Sequence, residues 1–142
     1  MVIIARETLE ITSDVAELAT IRGFLRSFAT DRDADKLNEE EMAQLELAVN
    51  EAAANVMKHA YMGRTDRPLR VEMSSDDKAV TVCLIHKGET FERRDVPPPS
   101  FDGSRDNGFG VYLIENCVDT VEYSENSAGE QCVNLTKFFS SN

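Results

Sequence analysis

The stretch LAVNEAAANVMKHAY, residues Leu47 to Tyr61, decides how the rest of the chain is interpreted. Most of it is small and apolar, yet Glu51, Asn55 and His59 recur at intervals of four. At about 100° per residue, this spacing sets the three polar side chains in one column along a helix, beside its apolar face. A helix used for packing alone does not need three different polar groups in register. The column is therefore predicted to line a cavity between the helix and its neighbours.

The column also has a simpler interpretation. Glu51 and Asn55 would then lie on a solvated helix face, and His59 would be a base favoured by the dipole at the helix C-terminus. Two features favour a cavity instead. A glycine pair follows a long loop downstream, and the residues that flank the column carry little side chain. These flanking residues are Ala48, Ala52 and Ala54.

Composition and charge exclude several classes of protein. With 142 residues the chain has the length of one domain with one core, and a single domain over residues 1–142 is predicted. Its 26 acidic and 15 basic residues give a net charge of −11, which argues against a nucleic-acid partner. No stretch suits a membrane span, and MVIIARETLE lacks the basic region of a signal peptide. The three cysteines lack C-x-x-C spacing and indicate reduced thiols, so a cytoplasmic location is expected.

Hydrophobic periodicity predicts the order β-α-α-β-β-loop-α-β-β. Ser13 or Asp14 is expected to cap the first helix, and Asn38 the second, which runs to about residues 59–61. This order predicts an α+β fold, a two-layer sandwich in which helices cover one face of a mixed sheet. The segments are ETLEIT (7–12), a helix with Val15, Leu18, Ile21, Leu25 and Phe28 on its core face, the helix described above, LRVEMSS (69–75), AVTVCLIH (79–86), VYLIENCV (111–118), DTVEYSE (119–125) and QCVNLTKFF (131–139).

A long loop and a glycine pair precede the third predicted helix. Residues 87–107 are poor in apolar side chains and contain three consecutive prolines, which is typical of a functional or disordered loop. The loop ends in NGFG, residues 107–110, where glycines at a helix N-terminus would bring backbone N–H groups close to an anion. A flexible turn with a helix cap is the alternative. A third, weaker element is LIHKGETF (84–91), a buried strand that ends in Gly88 and Phe91.

The order of these three elements resembles the GHKL ATPase superfamily, which includes gyrase-type ATPases, sensor histidine kinases and mismatch-repair ATPases. Within it, the chain is most similar to the small serine kinases that act as anti-sigma factors in bacterial partner switching. ELAVNEAAANVMKHAY resembles their N box, LIHKGETF sits at the G1 box, and NGFGVYLIENCVDTVEY resembles the G2 box with the strand after it. The resemblance spans about residues 14–137 and implies the histidine-kinase-like (Bergerat) ATPase fold.

The resemblance implies a nucleotide site for ATP and Mg²⁺. Glu51 would be the general base that orients and deprotonates the attacking hydroxyl, and Asn55 would hold magnesium through its amide oxygen. Lys58 or His59 would lie near the far end of the site, and residues 87–107 would be the ATP lid. On the phosphate side the implied residues are Arg105, which would neutralise phosphate charge, and Gly108 and Gly110, whose backbone would cradle the phosphates, with Phe109 between them.

Three positions depart from the family pattern, all on the adenine side of the implied pocket. His86 stands where the family has an Asp that accepts from the adenine amine, and Thr90, after Gly88, replaces a second glycine. Cys132 replaces a threonine near the last strand. A neutral His86 accepts one hydrogen bond but lacks the two oxygens of a carboxylate. Losing such an acceptor costs about 2 kcal/mol, roughly thirtyfold in affinity, so weak, altered or absent ATP binding is expected.

The resemblance also implies partners. The protein would bind a sigma factor, or an equivalent regulatory target, and phosphorylate a serine on a STAS-domain anti-anti-sigma factor. Arg22 would engage a partner, with an ordinary surface arginine as the alternative, and the segment MVIIA would supply a strand edge for a homodimer. Two other functions stay open at this point. One is a binding module of the same fold with lost or weakened ATP binding, and the other is a family member that activates a phosphatase.

Overall fold

The computed structural model of the protein describes residue 3 and residues 5–31, 36–87 and 109–140, with 31 and 109–112 as backbone only. Five strands and three helices lie in this part, in the predicted order. They are β1 (Ala5–Thr12), α1 (Leu18–Asp31), α2 (Glu39–Asn55), β2 (Pro68–Ser75), β3 (Ala79–His86), α3 (Phe109–Cys117), β4 (Thr120–Glu125) and β5 (Gln131–Phe138). A 3-10 turn, Val15–Glu17, precedes α1, and a π-helical turn, Val56–Ala60, continues α2. No helix in these ranges is long and apolar enough to cross a membrane.

The strands form one sheet in the order β1-β2-β3-β5-β4, and all four neighbouring pairs are antiparallel. The sequence predicted a mixed sheet, and the connection between β1 and β2 explains the difference. Two helices, α1 and α2, carry the chain away and back, so β2 begins beside the end of β1, with Pro68 opposite Thr12. A single crossover helix between them would have given a parallel pair instead.

One end of the sheet collects the segments on which the site predictions fall. The hydroxyl of Tyr61 accepts a hydrogen bond of 2.8 Å from the backbone N–H of Lys87, which joins the end of the π turn to the end of β3. The C-terminus of α3 lies at the opposite end, where Lys137 Nζ donates to the Cys117 carbonyl at 2.7 Å. The last turn of α2 and the last residue of β3 therefore share one end of the sheet, opposite the C-terminus of α3.

The helices cover one face of the sheet, which confirms the predicted α+β sandwich. Alternate residues of β2, β3 and β5 are buried on that face, and α2 buries the face predicted for it. The buried strand residues are Leu69, Val71, Met73, Val80, Val82, Leu84, Val133 and Leu135, and the predicted α2 set is Met42, Leu45, Val49, Ala52, Ala53, Val56 and Ala60. The opposite face is largely polar and includes a hydrogen bond of 3.2 Å between the hydroxyls of Thr81 and Thr136.

Two expectations about helix faces are wrong. Ala48 and Ala52 are 0% and 4% exposed, so they belong to the core and do not leave room for a ligand beside the polar column. Their small side chains suit the packing of α2 against the sheet and α3. Val15, expected on the core face of the first helix, is 57% exposed because residues 15–17 form a 3-10 turn before α1 begins.

The start of α2 generates a prediction about stability. Asn38 Oδ1 accepts a hydrogen bond of 2.8 Å from Glu41 N, and Glu41 Oε1 accepts one of 2.9 Å from Asn38 N, which forms a capping box. Replacing Asn38 with alanine removes an acceptor for one helix N–H group and should lower the free energy of unfolding by about 1 kcal/mol. Urea denaturation measures this loss. Asn38→Ser is the matched control and should retain most of the stability, and equal stability of both variants would contradict the prediction.

Candidate functional site

Glu51 and Asn55 lie one turn apart on α2, at the border of its buried face. Both residues are partly buried, and within the described residues neither side chain forms a hydrogen bond with another protein group. The amide nitrogen of Asn55 is buried and has no hydrogen-bond partner among those residues. Leaving such a group unsatisfied costs roughly 1–3 kcal/mol, so it marks a position for a ligand or an ordered water.

The helix changes its winding directly after Asn55. Residues Val56–Ala60 form a π-helical turn, in which Tyr61 N donates to Val56 O at 2.9 Å. Single π turns within helices occur frequently at functional sites. The wider turn buries Val56, Met57 and Ala60 and leaves both Lys58 and His59 exposed. The predicted column therefore consists of two partly buried members, with His59 on a more exposed part of the helix.

His86, the last residue of β3, is 2% exposed and lies on the helix-covered face of the sheet. Its ring contacts the edge of the Tyr61 ring, with ring centroids 5.9 Å apart and planes at 76°. Burial lowers the pKa of His86 to about 4, so its imidazole is neutral at pH 7. The Nδ1 atom is buried and, among the described residues, has no hydrogen-bond partner. Like Asn55, His86 therefore holds a polar atom that a ligand is able to satisfy.

Tyr61 connects His86 to the loop that follows α2. Its hydroxyl donates to the Pro68 carbonyl at 2.5 Å and accepts from Lys87 N at 2.8 Å. The side chain therefore joins the end of the π turn to the start of β2 and to the end of β3. Burial raises the pKa of the Tyr61 phenol. Tyr61 was not predicted as a site residue, because its partners are distant in the chain. The one sequence feature that pointed to a role for Tyr61 was its position at the end of the predicted second helix.

The sheet register separates Cys132 from His86, which corrects its placement beside the adenine site. Cys132 lies opposite Ile85, whereas Gln131 lies opposite His86. Because successive side chains of a strand point to opposite faces, Cys132 lies on the face away from the helices. Cys83 shares that face, and its pKa is raised to about 12 by burial and then by the adjoining Cys132 thiol. Gln131 is the β5 residue that shares a face with His86.

The remaining residues of the predicted site fall partly outside the described ranges. Gly88, Thr90, Arg105 and Gly108 lie there, and Phe109 and Gly110 are described only as the first backbone residues of α3. Arg22 is exposed on α1 and donates from Nη1 to Asn50 Oδ1 of α2 at 2.8 Å. Its guanidinium therefore has one neutral partner within the described chain, in keeping with either a docking residue or a surface arginine.

Sequence comparisons identify relatives of this chain. Residues 11–137 match the family described as "Histidine kinase-like ATPase domain". A relative named serine-protein kinase RsbW, from Bacillus pumilus, is 30% identical over 109 residues, which cover 70% of this chain and 66% of the relative. The chain thus spans just under two thirds of that relative. A protein named anti-sigma F factor, from Clostridium beijerinckii, is 29% identical over 104 residues, which cover 70% of this chain and 73% of the relative.

A solved structure shares the fold. The crystal structure of the RsbU and RsbW domains of a Mycobacterium tuberculosis protein superposes with a TM-score of 0.67 at 18% identity, over 97% of this chain and 33% of that chain. At this identity the likeness concerns the fold alone. The family match covers most of the chain, and the antiparallel sheet with helices on one face agrees with it. This chain belongs to the histidine kinase-like ATPase domain family.

Proposed function

We propose that the protein is an ATP- and Mg²⁺-dependent protein serine kinase that acts as an anti-sigma factor in a partner-switching system. Its substrate would be a serine on a STAS-domain antagonist. It would also bind and sequester a sigma factor or an equivalent regulator. One observation carries the proposal: Glu51 and Asn55 lie one turn apart at the core border, and the Asn55 amide nitrogen is buried without a partner in the described chain. Family membership and the names of the relatives support it.

The proposed chemistry divides between the two residues. Glu51 would accept the proton of the attacking serine hydroxyl and orient its oxygen toward the transferred phosphoryl group. Asn55 offers a hard, uncharged amide oxygen that suits magnesium, and its unpartnered nitrogen is a donor suited to a phosphate oxygen. When bound, magnesium would neutralise phosphate charge. The residues present therefore fit a metal-bound triphosphate.

Other residues would complete the site. The backbone of Gly108, Phe109 and Gly110 would hold phosphates at the start of α3, with the Arg105 side chain closing over them. Lys58 or His59 would lie toward the far end of the nucleotide. Arg22 would engage a partner protein, and a homodimer would pair the chain with a second copy.

A second candidate function is a non-catalytic partner-binding module of the same fold. His86 favours it, because a neutral imidazole replaces the carboxylate that the family pattern places at the adenine. Gly88 and Thr90 belong to the same degenerate motif. Calorimetry with ATP and magnesium separates the two functions, since a module that has lost the nucleotide site gives no binding heat.

The kinase proposal predicts the effect of Glu51→Gln. The amide no longer accepts the serine proton, so phosphoryl transfer should fall by about 10²–10⁴ while ATP affinity changes little. Asn55→Ala should instead weaken the magnesium-dependent part of ATP binding. The assay mixes protein, labelled ATP, magnesium and a cognate antagonist, and detects phosphoserine.

Glu40→Gln is the matched control, because this glutamate is exposed in the first turn of the same helix. It should leave transfer unchanged. The proposal fails if no phosphoserine forms at millimolar ATP with a verified partner.

The position of His86 at the proposed adenine site predicts that His86→Asp binds ATP more tightly than the wild type. A carboxylate restores a charged acceptor for the exocyclic amine and should tighten ATP binding by about 2 kcal/mol, roughly thirtyfold. Calorimetry at pH 7 measures it. Cys132→Thr restores the family residue at a position on the other sheet face, so its affinity should equal that of the wild type. A larger gain for Cys132→Thr than for His86→Asp would contradict the assignment of faces.

The buried imidazole predicts a pH dependence of stability. The pKa of His86 falls from an ordinary 6.5 to about 4 in the folded protein, so between these values the unfolded chain binds a proton that the folded chain does not. Stability contributed by His86 is therefore present above pH 6.5 and is lost as the pH falls toward 4. Between pH 7 and 5 the loss should be about 2 kcal/mol.

Urea denaturation at both pH values tests this, with His86→Gln as the reference. The wild type should lose about 2 kcal/mol more than the variant, because the other titrating groups are common to both. Equal losses would show that His86 is not buried in its neutral form.

A further inference from the structure

A cavity of about 480 Å³ lies beside the loop that joins the π turn to β2. Its volume is within the range of small-molecule sites. Three of its lining side chains are cationic, namely those of Arg64, Arg67 and Lys87. The remaining lining residues are Ala60, Tyr61, Met62 and Pro68. The cavity thus combines a positively charged rim with an apolar wall, and it includes neither Glu51 nor Asn55.

The positive charge is unusual in a chain with a net charge of −11. Several other arginines lie against carboxylates: Arg6 with Glu72, Arg26 with Glu39 and Glu46, and Arg70 with Glu130. Within the described residues Arg64 and Lys87 form no ion pair, and Arg67 has only the exposed Asp66, at 3.6 Å. The hydrogen bond from Asn126 lowers the pKa of Glu130 most, followed by Arg70 and last by Lys87, so this carboxylate is already bound by Asn126 and Arg70. In the part of the chain that the structure describes, the lining of the cavity therefore holds three cations and no carboxylate.

The loop that carries the two arginines is held in place by Ser13, which is 2% exposed. The Ser13 hydroxyl donates to the Arg64 carbonyl and accepts from Arg67 N at 3.1 Å, and Ser13 N donates to the Arg67 carbonyl at 2.8 Å. Met62 adopts a φ of 53°, in the left-handed region that non-glycine residues rarely occupy. The backbone of both arginines is thus fixed before any ligand arrives, which lowers the entropic cost of binding.

We propose that this cavity binds a small phosphorylated anion. Guanidinium groups bind phosphate oxygens in a bidentate manner, and an ammonium adds a mobile point charge. Met62, which is 72% exposed, and Pro68 give the organic part of such a ligand an apolar surface. The proposal does not depend on the kinase activity, because Arg64 and Arg67 are outside the residues assigned to the nucleotide site, and only Lys87 borders the segment assigned to the ATP lid.

The test is a titration of the protein with inorganic pyrophosphate at low ionic strength and without magnesium, followed by amide chemical shifts and calorimetry. Shifts should concentrate at residues 61–67 and Lys87. Arg64→Ala and Arg67→Ala should each weaken binding by about tenfold, and the double variant by more. Raising the salt concentration should weaken binding of the wild type, since exposed charges are screened.

Arg22→Ala is the matched control, because Arg22 is also an exposed arginine but lies on α1, away from the cavity lining. It should bind pyrophosphate as tightly as the wild type. Equal affinity of the double variant and the wild type, or shifts confined to other residues, would overturn the proposal. Loss of affinity in Arg22→Ala equal to that in the double variant would also overturn it, since the effect would then reflect net charge alone.

Discussion

The burial of one face of α2 is the constraint on which the rest of the site depends. Leu45 and Val49 are 0% exposed, and turning the helix would expose such side chains at a cost of about 1.5–3 kcal/mol each. A fixed rotation places Glu51 and Asn55 at the border of the core. Neither side chain is held by a hydrogen bond within the described chain. Packing, not polar contacts, therefore sets where these two groups lie, and it leaves their polar atoms available.

The sequence predicted the order of the helices and strands and the buried face of α2, because hydrophobic periodicity reflects which side chains are buried. The sequence did not predict which face of the sheet Cys132 occupies. Which face a strand residue occupies depends on a register with β3, and a shift of one residue reverses every face. The π turn after Asn55 was also not predictable, because its residues suit an α-helix equally well. Tyr61 was missed for a related reason, since Pro68 and Lys87 reach it only through the fold.

His86 changes the energetics of the site as well as its chemistry. A carboxylate buried in this position without a ligand or a cation would carry a desolvation cost of several kcal/mol. A neutral imidazole with one unpartnered nitrogen costs roughly 1–3 kcal/mol. The contact with the Tyr61 ring and the loss of the proton on burial make the ligand-free state easier to maintain. A neutral histidine therefore lowers the cost of keeping this position buried without a ligand, and it offers no charged acceptor.

The C-terminus of α3 is anchored at the end of the sheet opposite His86. Lys137 is 8% exposed, and its Nζ donates to the Cys117 carbonyl at 2.7 Å and to Gln44 Oε1 at 2.9 Å. A cation at a helix C-terminus is favoured by the helix dipole, so this buried lysine ties α3 to β5 and α2. With nine residues, α3 is about 13 Å long. Protein contacts therefore hold the C-terminus of α3, and the length of the helix separates its N-terminus from this anchor.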